Sequence, residues 1–310
     1  MRIVGVTIAR NEEDVVEASV RHNLRHLDAL LLVDHASTDA TSGILASLAA
    51  EGLPIEVTRD DTLGAVPASF EPALVRRALE GGADLVIPLG ADEFIRLPSR
   101  EAFERHVRGA GAPDRFLVPQ QTFAPDFASD GDIATRLRHA RRRTVEPTGA
   151  GRVASTRHAS FDRTDAGSAG GRSAAGNSAP GAAVEASLAA IARVPVRSVE
   201  QHISRVAIGY LSRLLASPPV ADDANPFRES YVEIVSGKAP SRDRLETVAL
   251  NLDLPPGGRT ASDPGKWIED PFLAGIELRY TPAKPTTPLA RVLAFGERVA
   301  HEIALTTGGL

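Results

Sequence analysis

The sequence contains no cysteine, and this absence excludes several kinds of chemistry at once. A chain without cysteine forms no disulfide, has no thiolate nucleophile and builds no cysteine-based zinc site. It suits a reducing compartment, so we expect a cytoplasmic protein. Long apolar runs are also missing. The most apolar stretch, 27–33, contains Asp28 and is far shorter than the roughly 20 residues that a membrane span requires.

A strong excess of positive charge is absent as well. The formal net charge is −5, which argues against a general nucleic-acid binder. The N-terminus passes from a short apolar stretch directly into polar residues, so we expect a first strand there and not a secretory leader. We therefore expect no integral membrane segment, although the protein could work peripherally at the inner membrane face on a lipid-linked acceptor.

What the sequence does contain is a regular alternation over its first hundred residues. With 310 residues, 43% of them hydrophobic, the chain is long enough for one large α/β domain with an annex. Helices are predicted at 12–26 and 67–80, and another follows Ser37 or Asp39 as its cap. The strands are predicted at 3–9, 29–33, 55–58 and 85–89. This order predicts a mostly parallel, Rossmann-like sheet with helices on both faces.

The rest of the chain is less regular. We predict strands at 116–119 and 133–145, and a mobile loop of glycine, serine and alanine at 164–183. A long amphipathic helix lies between Val199 and Leu215. Further helices are predicted at 226–236, 241–251 and 288–305.

Polar side chains follow three of the predicted strands, where each strand ends. These residues are Arg10-Asn11-Glu12-Glu13 after the first strand, Asp34 to Thr41 after the second, and Gly90-Ala91-Asp92-Glu93-Phe94 after the fourth. Ligands of parallel α/β sheets bind at the carboxyl ends of the strands. Carboxylates that gather there require cations, so we expect a divalent metal, Mg²⁺ or Mn²⁺, which can bridge a diphosphate and neutralise it as it leaves.

The ordered set of motifs resembles the family-2 glycosyltransferases of the GT-A fold. It is most similar to a bacterial subgroup whose third motif reads D-A-D-E-F, and the run Ile191 to Ser198 resembles the H-F-P-x-R-S signature of that subgroup. The resemblance covers roughly residues 1 to 215. It implies a GT-A-like domain at 1–220 that binds a nucleotide diphospho-sugar, followed by a helical extension at 221–310.

The resemblance also implies roles for individual positions. The donor-binding residues would be Ala9, Arg10, Glu12, Asp34, His35 and Arg197. Asp92 would hold the metal on the diphosphate, with Glu93 beside it. The family inverts the configuration of the sugar and uses a general base, usually a carboxylate, to deprotonate the acceptor hydroxyl. Just before the glycine-rich loop, His158 and Asp162 are candidates for a metal ligand and that base, with ordinary loop polarity as the alternative.

Two positions depart from the pattern of the family. Gly90 stands where the first Asp of D-x-D is usual, and Arg193 stands where the subgroup has His. Metal binding would be weakened or rearranged, or Arg193 would neutralise the diphosphate itself as a fixed positive charge. The alternative function is a non-catalytic nucleotide-sugar binder or assembly partner that has lost its metal site.

Other nucleotide-binding classes are excluded by their missing motifs. The chain has no G-x-x-x-x-G-K-[ST] of a P-loop and no G-x-G-x-x-G after its first strand. We therefore expect transfer of a sugar from a nucleotide diphospho-sugar to a hydroxyl of a glycan, a lipid-linked glycan or a small molecule.

Overall fold

The computed structural model describes residues 1–109, 114–147, 150–157, 183–216, 224–252 and 267–307. Its strands are β1 Ile3–Ala9, β2 Ala29–His35, β3 Ile55–Asp60, β4 Leu85–Gly90, β5 Glu93–Arg96, β6 Arg115–Ala124, β7 Arg141–Arg143, β8 Gly151–Thr156, β9 Ala190–Arg193 and β10 Trp267–Glu269. Its helices are α1 Val16–Asn23, α2 Thr41–Ala50, α3 Phe70–Glu80, α4 Arg100–Val107, α5 Ile133–Leu137, α6 Val199–Leu214, α7 Arg228–Val235, α8 Leu245–Asn251 and α9 Pro288–Thr307.

The strands form one mixed sheet in the order β10-β7-β6-β8-β4-β1-β2-β3. The strands β4, β1, β2 and β3 run parallel to one another, and β8 pairs antiparallel with both β4 and β6. Off this path, β9 pairs with β5 and with β6. The predicted α/β class with a parallel central sheet is confirmed.

Different helices cover the two faces of the parallel strands. On one face, Leu30, Leu32 and Leu85 pack against apolar residues of α1, α2 and α4. On the other face, Val4 and Val6 pack against α3. Successive side chains of a strand point to opposite faces, so near-continuous apolar strands need cover on both sides. The prediction of helices on both faces is confirmed.

The stretch 133–145 was expected to be a strand, and this prediction is wrong for most of its length. Asp132 caps α5 by accepting a hydrogen bond from the Thr135 backbone N–H at 2.7 Å. Ile133 and Leu137, four residues apart, then lie buried on one face of the helix. Only Arg141–Arg143 forms a strand, and its arginines reach acidic partners such as Asp270 and Glu146.

The C-terminal part contains the helices predicted at 226–236, 241–251 and 288–305, the second of which begins with a 3₁₀ turn at Arg242–Arg244. This part is not purely helical, because β10 pairs antiparallel with β7 and so extends the sheet. The predicted loop at 164–183 lies outside the described residues except for Ala183. Within the described ranges, none of the helices combines the length and the apolar character needed to cross a membrane.

Candidate functional site

The loops that follow β1 and β2 are joined by hydrogen bonds at the carboxyl edge of the sheet. The Asn11 backbone N–H donates to Ser37 Oγ at 3.0 Å, and the Thr38 N–H donates to Asn11 Oδ1 at 2.7 Å. Both loops also contain a left-handed residue, Asn11 with φ of 57° and Ala36 with φ of 55°. Such conformations are uncommon for residues other than glycine and occur often at functional sites. The two loops are therefore held in one defined conformation at this edge of the sheet.

Asp92 reaches the same edge from the turn between β4 and β5. In the antiparallel ladder of β5 and β9, Glu93 lies opposite Arg193, and the Val194 N–H donates to the backbone oxygen of Asp92 at 2.9 Å. This register places Arg193 Nε 3.7 Å from Asp92 Oδ2. The Arg193 side chain is 4% exposed and that of Asp92 is 17% exposed. Asp92 is thus the more exposed partner of this ion pair.

Glu93 points away from this edge into the protein. Its Oε2 accepts the Gly90 N–H at 2.7 Å, and its Oε1 accepts from Gln120 Nε2 at 2.7 Å. The Arg152 guanidinium donates to the two carboxylate oxygens at 2.8 and 3.0 Å. Burial disfavours the charged form of Arg152, but the carboxylates of Glu93 and Glu71 together outweigh it and keep the pKa of Arg152 above its ordinary value. Glu93 therefore holds the turn that carries Asp92.

Arg197 lies beneath the loop after β1 and binds its acidic residues. Its Nε and a terminal nitrogen donate to the two oxygens of Asp14 at 2.7 and 3.0 Å, and it also donates to Glu12. Burial raises the pKa of Glu12 to about 7 although Arg197 opposes the shift, and the charge of Asp92 adds to it. Arg197, which the sequence predicts to bind the donor, is in this structure the buried cation of Glu12 and Asp14. A partly exposed carboxylate with a pKa near 7 suits a general base.

The guanidinium of Arg10 closes the loop after β3. It donates to the backbone oxygens of Leu63 and Gly64, both at 3.0 Å, and lies over the ring of Phe295 at 5.3 Å from its centroid. Burial lowers the pKa of Arg10 to about 10. Arg10, which the sequence predicts to bind the donor, thus connects β1, the loop after β3 and α9.

The other candidates at the ends of β1 and β2 are buried. Ala9 and His35 have no exposed surface, and Asp34 is 2% exposed. Asp34 accepts a hydrogen bond from the Ser42 hydroxyl, and His35 Nδ1 contacts the carboxylate of Asp60. The structure therefore brings the predicted donor-binding residues together at one edge, where they are held by each other and by neighbouring loops.

A long-range cluster that the sequence did not reveal attaches α9 to this edge. Arg291 lies 2.6 Å from Glu13 Oε1 and 3.1 Å from Asp39 Oδ2, and none of the three side chains is more than 2% exposed. Asp39 also accepts from the backbone N–H and the hydroxyl of Thr41, so it closes the turn before α2 as well. Arg291 and Glu13 are 278 residues apart, so no local pattern could connect them.

Glu17, in the first turn of α1, binds the segment that precedes α9. The backbone N–H groups of Arg279, Tyr280 and Thr281 each donate to its carboxylate at 2.8 Å. Although burial opposes the shift, these donors keep the pKa of Glu17 below its usual range. The acidic run after β1 thus anchors the C-terminal part of the chain.

The described residues around Asp92 do not by themselves form a ligand set for a divalent cation. In the described part of the chain, no three His, Asp or Glu side chains converge as metal ligands. His158 and Asp162, the other predicted ligand and base, lie outside the described residues. Gly90 does not have a positive φ, but a Cβ built on it would lie 2.7 Å from Asp92 Oδ1. The Asp92 carboxylate therefore occupies the space into which a side chain at position 90 would extend.

No protein-family model and no curated protein matches the chain. Among solved structures, S. aureus TarS is similar with 12% identity over 82% of this chain and 76% of its own, at a TM-score of 0.38. The mannosyltransferase PcManGT from Pyrobaculum calidifontis, in complex with GDP-Man and Mn²⁺, shares 15% identity over 83% and 81%, at 0.37. Glucosyl-3-phosphoglycerate synthase from Mycobacterium tuberculosis shares 20% over 50% and 56%, at 0.30.

Proposed function

We propose that this protein transfers a sugar from a nucleotide diphospho-sugar to an acceptor hydroxyl, with inversion at the anomeric carbon. The observation that supports this most is the meeting of the Asp92–Arg193 pair with Glu12 at the carboxyl edge of a parallel sheet. Ligands of parallel α/β sheets bind at that edge, and the order of the motifs resembles that of nucleotide-sugar transferases. The similar structures include proteins solved with UDP or with GDP-Man and Mn²⁺.

The reaction is one displacement. The acceptor oxygen forms a bond to the anomeric carbon, and the bond from that carbon to the diphosphate oxygen breaks, leaving its electron pair on the diphosphate. The acceptor proton passes to a carboxylate. Among the described acidic residues, Glu12 and Asp92 are partly exposed at the edge, whereas Glu93 is enclosed by Arg152 and Gln120. We assign the proton to Glu12, since its pKa of about 7 matches neutral pH.

A donor screen tests the proposal. UDP-, GDP-, CDP- and dTDP-sugars are added to the full chain, and thermal unfolding and release of nucleoside diphosphate are measured. A donor at 100 times its Kd stabilises the native state by about 2.7 kcal/mol. Glu12→Gln is expected to keep the thermal shift and lose turnover, whereas Arg105→Gln, on the exposed side of α4, retains both. No response to any of the four donors at millimolar concentration refutes the proposal.

A second candidate is a nucleotide-sugar binder without turnover. It is favoured by Gly90 and by the pairing of the acidic residues at the edge with arginines. The two candidates are separated by the same screen, because a binder gives the thermal shift without releasing nucleoside diphosphate at any acceptor tested.

A further inference from the structure

A buried histidine lies where β2 and β3 end. His35 is the last residue of β2 and lies opposite Asp60, the last residue of β3, in the parallel register of the two strands. The Ala36 N–H donates to the backbone oxygen of Asp60 at 2.7 Å, which holds the two strand ends together. Because the His35 side chain has no exposed surface, both of its ring nitrogens need partners inside the protein.

Both partners of the His35 ring are hydrogen-bond acceptors. Nδ1 contacts a carboxylate oxygen of Asp60, and Nε2 lies 3.1 Å from the backbone oxygen of Gly64. A neutral imidazole carries a proton on one nitrogen only, whereas an imidazolium donates from both. With a neutral ring, a lone pair would therefore face either the carboxylate or the carbonyl. The two contacts together require a second proton.

The environment of Asp60 places this second proton on the ring. The other carboxylate oxygen of Asp60, Oδ1, accepts the Thr62 hydroxyl at 2.8 Å and the Thr62 N–H at 3.4 Å. Hydrogen bonds from donors favour the ionised form of a carboxylate. His35 and Asp60 thus form a pair of imidazolium and carboxylate, which is the form in which buried charges are tolerated.

The Gly64 oxygen that His35 binds belongs to the loop after β3. Arg10 of β1 donates to the same Gly64 oxygen at 3.0 Å. Arg298 of α9 donates to the backbone oxygen of Asp61 at 3.3 Å. Cationic groups from three elements therefore hold this loop at the carboxyl edge of the sheet. Among these three groups, an imidazolium is the one that loses its charge near neutral pH, since arginine stays protonated.

Charged groups from several elements surround the pair. Arg10 interacts electrostatically with Arg298, Asp60 and Asp34. The two arginines favour loss of the ring proton, whereas the two carboxylates favour its retention. Asp34, the preceding residue of β2, points to the opposite face of the strand. From α3, the uncharged ring of Phe70 packs edge-on against the imidazole, with 6.1 Å between the ring centroids.

We propose that His35 is a pH-dependent switch for the loop after β3. With two ring protons it binds Asp60 and Gly64 at once and keeps the loop closed. When the ring loses one proton, one of the two contacts is lost and the loop opens. The closed loop thus binds one proton more than the open loop, so a rise in pH shifts the population towards the open loop. This inference does not depend on the proposed function, because it involves no nucleotide.

NMR of the full chain with ¹⁵N-labelled histidine rings and backbone amides tests the inference. The titration covers about pH 5 to pH 8, the range in which histidine changes its charge. At the low end, both ring nitrogens of His35 are expected to carry protons. The loss of one ring proton and the shift of the Gly64 amide resonance are expected to share one midpoint, since one proton controls both. A ring that keeps both protons throughout, or that loses one without a shift at Gly64, overturns the inference.

Asp60→Asn separates the switch from simple packing. The Asn amide can donate to Nδ1 of the ring and still accept from Thr62, so that a neutral ring satisfies both of its contacts. The variant is therefore expected to keep the loop closed over the whole range and to lose the pH-dependent shift at Gly64. His139→Gln, an exposed position after α5, is the matched control and is expected to retain the parental titration. Thermal unfolding shows whether each variant is folded, and if Asp60→Asn is not, the titration of the parent still decides. A folded Asp60→Asn in which Gly64 titrates as in the parent overturns the inference.

Discussion

Replacing Arg291 with methionine removes the cation that two buried carboxylates share. Glu13 and Asp39 lie 2.6 and 3.1 Å from the Arg291 guanidinium, and all three side chains are almost fully enclosed. Methionine is similar in length and apolar, so the change removes charge with little loss of volume. The carboxylates then remain buried without their cation.

The expected loss in the free energy of unfolding follows from the burial of these two ion pairs. Removing one partner of a buried ion pair typically costs about 3–5 kcal/mol, because an uncompensated charge stays inside the protein. Glu13 keeps the Ala40 N–H at 2.9 Å and the Thr286 hydroxyl at 3.0 Å, which favours the lower half of the range. For a chain of 310 residues, about 3 kcal/mol corresponds to a fall in Tm of about 5 °C.

Urea unfolding and thermal unfolding of parent and variant measure this cost. Arg298→Met is the matched control on the same helix, because its partner Asp61 is 65% exposed and such pairs contribute less than about 1 kcal/mol. The double variant Glu13→Gln/Arg291→Met removes two charges and is expected to recover part of the loss. If Arg291→Met costs no more than Arg298→Met, the Arg291 cluster does not hold α9 in the way described.

Three further predictions concern the sheet edge and its cover. Burial raises the pKa of Glu12 from 4.5 to about 7, so between these pH values the folded state binds more protons than the unfolded state. The free energy of unfolding should therefore fall by at most about 3 kcal/mol as the pH rises through this window. Urea unfolding at several pH values should show that Glu12→Gln removes this pH dependence. Gly90→Ala places a Cβ against Asp92 and should lower the free energy of unfolding by about 1–3 kcal/mol. Gly43→Ala, in α2 with open space around it, should leave stability unchanged or raise it, and equal effects of the two variants in thermal unfolding would contradict the crowding at Gly90. Phe295→Ala should cost about 3–5 kcal/mol and speed hydrogen exchange in the loop after β3; unchanged exchange there would show that α9 does not protect this loop.

The parallel half of the sheet was predictable because its signal is local. Each of its strands is an apolar run followed by a helix with its own period, and Ile3–Ala9 is found at the predicted bounds. The strands β5 and β10 are short, and both of them and β8 pair antiparallel with strands distant in sequence, so no apolar run of their own revealed them. Alternation of small and charged residues over 133–145 concealed the capped turn of α5.

The candidate site was predictable in its position more than in its contacts. The motifs located the edge, and the ion pair of Asp92 with Arg193 follows from the register of β5 against β9. The burial of Glu93 could not be read from its neighbours in sequence, because its partners Gln120 and Arg152 come from other strands. The assignments of donor-binding residues remain predictions.

The attachment of the C-terminal part to the acidic run after β1 has a consequence for how the chain matures during synthesis. Glu13 and Glu17 leave the ribosome early, yet their partners Arg291 and Thr281 follow 278 and 264 residues later. Until then these carboxylates lack their partners from the C-terminal part. Contacts between such distant residues are slow to form and leave unfinished surfaces exposed. A nascent chain that stalls before α9 would therefore expose this edge of the sheet, and chaperones or proteases would bind there.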